Sequence, residues 1–141
     1  MLAETLISKV MTANPTTISP NDTVDSVSEI FDDNSFHHIP VVDEQGVLHG
    51  IISKIDLMAL SYGRSLFRVH NRTELNQTLY RTLLVKDVMT KDVTSLKPDD
   101  TVSDAMDLFR HNIFHAIPIV KSGQLCGILS CYDLLLFAYE N

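Results

Sequence analysis

The chain repeats itself, and that constrains its fold more than any other feature. Sliding the sequence by 78 residues lays Val10-Met11-Thr12 on Val88-Met89-Thr90, Thr16 on Thr94, Pro20 on Pro98, and Asp22-Thr23-Val24 on Asp100-Thr101-Val102. Phe31, Asn34, Phe36-His37 and Ile39-Pro40 meet Phe109, Asn112, Phe114-His115 and Ile117-Pro118. The loop Asp43-Glu44-Gln45-Gly46 shortens to Lys121-Ser122-Gly123, and beyond it the offset is 77. Gly50-Ile51, Ser53, Asp56 and Leu57 then meet Gly127-Ile128, Ser130, Asp133 and Leu134. A unit of roughly 50 residues buries too little surface to stand alone, so the two copies are expected to pack together as one domain.

The alignment divides the chain into residues 1–61, a first copy with a short N-terminal segment; 62–85, a connector; and 86–141, a second copy. The connector lacks Pro and Gly after Gly63 and reads as a polar helix or a partly ordered loop. It carries Arg64, Arg68, Arg72 and Arg81, four of the five arginines. These suit either phosphate contacts or a solvated helix face.

Both copies read as the same elements. Thr16 to Ser19 is a short β-prone stretch ended by Pro20. Thr23 is placed to N-cap a helix from Val24 to Asn34, and Thr101 with Asp104 forms part of a capping box. Val102, Ala105, Met106, Phe109 and Ile113 keep helical spacing, as do Val24, Val27, Ile30 and Phe31. His38 to Val42 is a short strand whose Pro40 points to a strand start or an edge. A turn at Asp43 to Gly46 leads to a second strand, Val47 to Ser53, and then to a helix from Ile55 to Leu60. The unit is β-α-β-β-α.

The 45% apolar content suits a packed core, and the net charge of −7 disfavours nucleic acid as a partner. No apolar run approaches the roughly 18 residues of a membrane span, and the N-terminus lacks a signal-peptide pattern, so a soluble, cytoplasmic chain is expected. Cys126 and Cys131 fit neither a disulfide framework nor a zinc pattern.

The chemistry-bearing residues lie at two strand-to-helix junctions, Gly50 to Asp56 and Gly127 to Asp133. Each puts a hydroxyl and a carboxylate in the first turn of a helix. Ser-x-x-Asp is a capping pattern, and an acid there also suits the helix dipole. The same geometry offers amide donors to a phosphate and a fixed carboxylate to a ribose diol. His37 and His115, each beside an Ile-Pro strand, could face a shared cleft or serve the fold. His38, His49, His70 and His111 are expected at the surface. A helical metal pair of His111 and His115 is disfavoured because Pro118 follows too closely. No nucleophile–base pair or Gly-rich phosphate loop stands out, so no enzyme activity is expected.

The ordered, duplicated set of VMT, Thr-x-x-x-Pro, DTV, HxIP and the closing Gly-x-x-Ser-x-x-Asp resembles a tandem pair of cystathionine-β-synthase (CBS) domains over residues 8 to 140. The resemblance implies an α/β (α+β) fold of two β-α-β-β-α repeats packed with pseudo-twofold symmetry, and a homodimer. It implies a regulatory, energy-sensing role, with AMP, ADP, ATP or S-adenosylmethionine bound between the copies and no obligatory cofactor. Asp56 and Asp133 would hold the ribose, Ser53 and Ser130 would reach ribose or phosphate, and Thr16 and Thr94 would lie beside the adenine. Ile39, Ile51, Ile117 and Ile128 would supply apolar walls and backbone contacts, and His37 and His115 phosphate contacts. With no effector domain recognised in the sequence, the regulated partner is expected to be a separate protein. The alternative is a ligand-free dimeric interaction module, suggested by the apolar closing helix Leu134 to Tyr139.

Overall fold

The spacing of Val24, Val27 and Phe31 gives the first long helix, α1 (Val24–Asp33), one buried stripe. In the computed structural model, which describes residues 2–65, 78, 81–112 and 115–141 (side chains of 61–65 excepted), this stripe packs on a two-stranded antiparallel sheet. That sheet is β2 (His38–Val42) with β3 (Leu48–Ser53), and α2 (Lys54–Ser65) follows directly. After the connector come a one-turn helix α3 (Val85–Val88), then α4 (Val102–His111), β4 (Ala116–Lys121), β5 (Gln124–Ser130) and α5 (Cys131–Glu140). The fold is α+β, and the two copies repeat one architecture. Helix α2 runs beyond the expected end at Leu60. The expectations for residues 66–77, including Arg68, Arg72 and His70, and for Ile113 and Phe114 lie outside the described residues.

The first strand differs from expectation. It is β1 (Thr12–Ala13), and the stretch from Thr16 to Ser19 makes only a single parallel bridge, Ile18 to Val41. Pro15 and Pro20 bracket that stretch and supply no amide donors, which limits ladder formation there. Moreover, β1 leaves its own copy. It pairs antiparallel with β5, with Thr12 opposite Ile128 and Ala13 opposite Gly127. The matching Thr90 bridges Ile51 of β3 through two backbone hydrogen bonds of 2.8 and 3.1 Å.

The cores follow the same exchange. Ile7 and Val10, from the N-terminal segment, are buried with Val102, Ala105, Ile117, Ile119, Leu129 and Leu134 of the second copy. Val85 is buried with Val24, Val27, Phe31, Ile39, Val41 and Ile52 of the first. Each copy thus completes its core with the other's leading segment, in a pseudo-twofold arrangement. Two glycines permit the close approach. A Cβ on Gly50 would lie 2.6 Å from the Thr90 carbonyl oxygen and 2.7 Å from Met89 Sδ. One on Gly127 would lie 2.5 Å from Met11 Sδ and 3.0 Å from the Thr12 carbonyl oxygen.

Helix starts also differ between copies. Thr101 makes the full reciprocal box, its Oγ1 accepting from the Asp104 amide while Asp104 accepts from the Thr101 amide. Thr23 makes no side-chain cap; its hydroxyl donates instead to Asp25.

Candidate functional site

Strand alternation decides which side chains can reach a ligand. In an antiparallel pair, directly opposed residues share a face. Ile39 opposes Ile52, and both are buried in the first core. Ile117 opposes Leu129, and both are buried in the second. The expected side-chain walls at Ile39 and Ile117 are therefore corrected: both residues face the cores and are fully buried there. The other face carries His38 opposite Ser53 and Pro40 opposite Ile51. In the second copy it carries Ala116 opposite Ser130 and Pro118 opposite Ile128. Ile51 and Ile128 lie on this face, and so do Thr90 and Thr12, which pair directly opposite them at the strand edges.

Both Ser-x-x-Asp motifs form reciprocal capping boxes. The Ser53 amide donates to Asp56 Oδ2 at 2.8 Å, and the Asp56 amide donates to Ser53 Oγ at 3.0 Å. The Ser130 amide donates to Asp133 Oδ2 at 2.9 Å, and the Asp133 amide donates to Ser130 Oγ at 3.0 Å. The cap reading is realised twice. It leaves the ligand reading open, because each box uses Oδ2 and fixes the rotamer of a half-buried carboxylate at the positive end of its helix. Thr16 and Thr94 are exposed.

The histidine cluster differs from expectation. His37 and His115 are exposed, but His38, expected at the surface, is partly buried, with its ring centroid 6.5 Å from that of His115. Burial pushes its pKa down, as do His115 and His37, while the Asp56 carboxylate works the other way. The period-two pattern of His38, Pro40 and Val42 against Ile39 and Val41 was the signal for this orientation. It was missed because the repeat alignment matched His37, not His38, to His115. His111 bonds the Asp107 carbonyl on α4, which ends there, so it shares no helix with His115. His49 sits 2.8 Å from Asp43, whose carboxyl its hydrogen bond holds low.

A hollow of about 690 Å³ opens elsewhere, beside the turn that follows β2, where Asp43, His49, Lys86 and Lys91 line it. None of the predicted site residues borders it. Its mix of both charge signs selects no ligand, and the chemistry at the junctions is the stronger guide.

The CBS domain family matches residues 7–63 and 85–140, so this chain belongs to that family as a pair of repeats. It is 33% identical over 120 residues to the inosine-5'-monophosphate dehydrogenase of Methanocaldococcus jannaschii, covering 84% of this chain and 21% of that enzyme. The chain thus spans about a fifth of that relative. The CBS domain of a membrane protein from Sphaerobacter thermophilus superposes with a TM-score of 0.79 at 30% identity, covering 96% of this chain and 88% of that one. CBSX2, solved in complex with AMP, superposes with a TM-score of 0.78 at 26% identity, covering 96% and 97%. Among the described residues, no helix is long and apolar enough to cross a membrane.

Proposed function

We propose that this CBS pair is a non-catalytic regulatory module. It binds an adenine nucleotide or adenosyl ligand between its copies and signals to a separate partner protein. The observation that carries the reading is the Asp carboxylate at each strand-to-helix junction, held by its Ser amide at the end of a strand that pairs with the other copy's leading segment. A fixed carboxylate of this kind suits a ribose diol, and amides at a helix start suit phosphate. The AMP complex of CBSX2 supports the same ligand class. In this reading Thr16 and Thr94 flank the adenine, Ser53 and Ser130 reach ribose or phosphate, and His37, His38 and His115 meet the phosphates. Calorimetry with AMP, ADP, ATP and S-adenosylmethionine tests it. Binding tighter than millimolar, weakened at least tenfold in the double variant Asp56→Asn/Asp133→Asn, is expected; undiminished affinity in that variant removes the ribose role.

A ligand-free interaction module is the second reading. Ile55, Tyr132, Leu135 and Tyr139 on α2 and α5 are 65–87% exposed. Exposed apolar side chains on these two helices suit contact with a second copy of the chain. Both readings include a homodimer, which light scattering measures. A nucleotide that leaves the melting temperature unmoved favours the second, because a ligand of the native state must stabilise it.

A further inference from the structure

We infer that the two clefts are not equivalent: the cleft at Asp56 takes the ligand, while Thr12 of the same chain occupies the ribose-binding oxygen of Asp133. This inference rests on the nucleotide reading above and assigns it to one site.

In both motifs Oδ2 is engaged by the serine amide. Oδ1 is therefore the oxygen with the most acceptor capacity left for a diol. At Asp133, Oδ1 accepts a hydrogen bond of 3.1 Å from Thr12 Oγ1. Thr12 is held there by β1, which pairs with β5 through two residues, opposite Ile128 and Gly127, just before the α5 junction. Its hydroxyl stands where a ribose hydroxyl would. At Asp56 no hydrogen bond to Oδ1 forms among the described residues. Thr90, the counterpart of Thr12, makes a single bridge to Ile51 and no side-chain bond to Asp56.

The basic groups are unequal in the same sense. His38 lies opposite Ser53 and close enough to Asp56 for that carboxylate to act on its protonation, with His37 and His115 as its other titratable neighbours. Ala116 stands in the equivalent place opposite Ser130. A phosphate at the first junction would meet the His38 imidazole from the strand itself in addition to His37 just before it, whereas the second junction has only His115, just before its strand.

ADP titration by calorimetry tests the inference, with a melting temperature for each variant as the folding control. One ADP per chain is expected in the unaltered protein. Asp56→Asn is expected to weaken that site at least tenfold, and more than Asp133→Asn does. Thr12→Val, which keeps the branched shape and loses the hydroxyl, is expected to strengthen the second site about threefold to tenfold, the worth of one ordinary hydrogen bond. Thr12→Ser is expected to keep the unaltered stoichiometry. Two equal sites in the unaltered protein, or loss of binding on Asp133→Asn alone, would overturn the inference while leaving the nucleotide reading intact. Absence of binding by ADP, AMP, ATP and S-adenosylmethionine alike would overturn both.

Discussion

Across the hairpin of the first copy, Ser53 faces His38; across that of the second, Ser130 faces Ala116. The backbone around the two pairs is nearly the same. Each serine caps its helix, each aspartate returns the bond, and each strand abuts the other copy's leading segment. The two copies therefore keep one frame and differ in the side chains at their junctions. The difference lies in two side chains: the imidazole in place of a methyl group, and the Thr12 hydroxyl on Asp133.

The exchange of leading segments is the part of this comparison with most energy behind it. Ile7 and its counterpart Val85 are both fully buried in the opposite core. Ile7→Ala is expected to cost about 2–5 kcal/mol, the range for large-to-small substitutions at buried sites. Val85→Ala should cost less, since fewer buried carbons are removed. Urea denaturation measures both. A loss below about 0.5 kcal/mol for Ile7→Ala would match a surface substitution and show that the first segment does not complete the second core.

The glycine pair comes next. Gly50→Ala sets a Cβ against both a backbone carbonyl and Met89, whereas the closest atom at Gly127→Ala is the flexible end of Met11. Overpacking of this sort costs about 1–3 kcal/mol, and Gly50→Ala is expected to be the more damaging. Equal midpoints for the two variants would mean that both contacts relax alike.

The smallest expected effect is the pH dependence at His38. Its folded-state pKa is depressed by burial and by His115 and His37, against the pull of Asp56. The unfolded chain therefore binds more protons at this residue, and stability falls as pH drops from about 6.5 towards the folded value. His38→Gln should flatten that part of the profile; an unchanged slope between pH 7.5 and 5.5 would assign the loss to other groups. A bound phosphate acts oppositely on this imidazole, favouring its protonated form, so nucleotide binding should strengthen over the same interval.

Much of the frame is legible in one dimension. The stripe of α1, the turn at Asp43 to Gly46 and the Ser-x-x-Asp caps are local, set by residues three or four apart, and they appear where periodicity and capping rules put them. The candidate carboxylates were legible for the same reason. Ile39 and Ile117 were misassigned because a motif names residues without saying which face of a strand they take. His38 could have been found from strand alternation alone, whereas Thr12 could not: its bond to Asp133 spans 121 residues.

By itself, the sequence determined the two copies, the order of their elements and the paired serines and aspartates. Tertiary structure decided which strand β1 joins, which core Ile7 and Val85 enter, and which carboxylate keeps an open oxygen. The reason is physical. Helix caps and amphipathic stripes are built from near neighbours, whose identities the chain displays. Strand pairing runs through backbone amides and carbonyls common to almost every residue, so the choice of partner depends on which side chains can be buried once both copies are in contact.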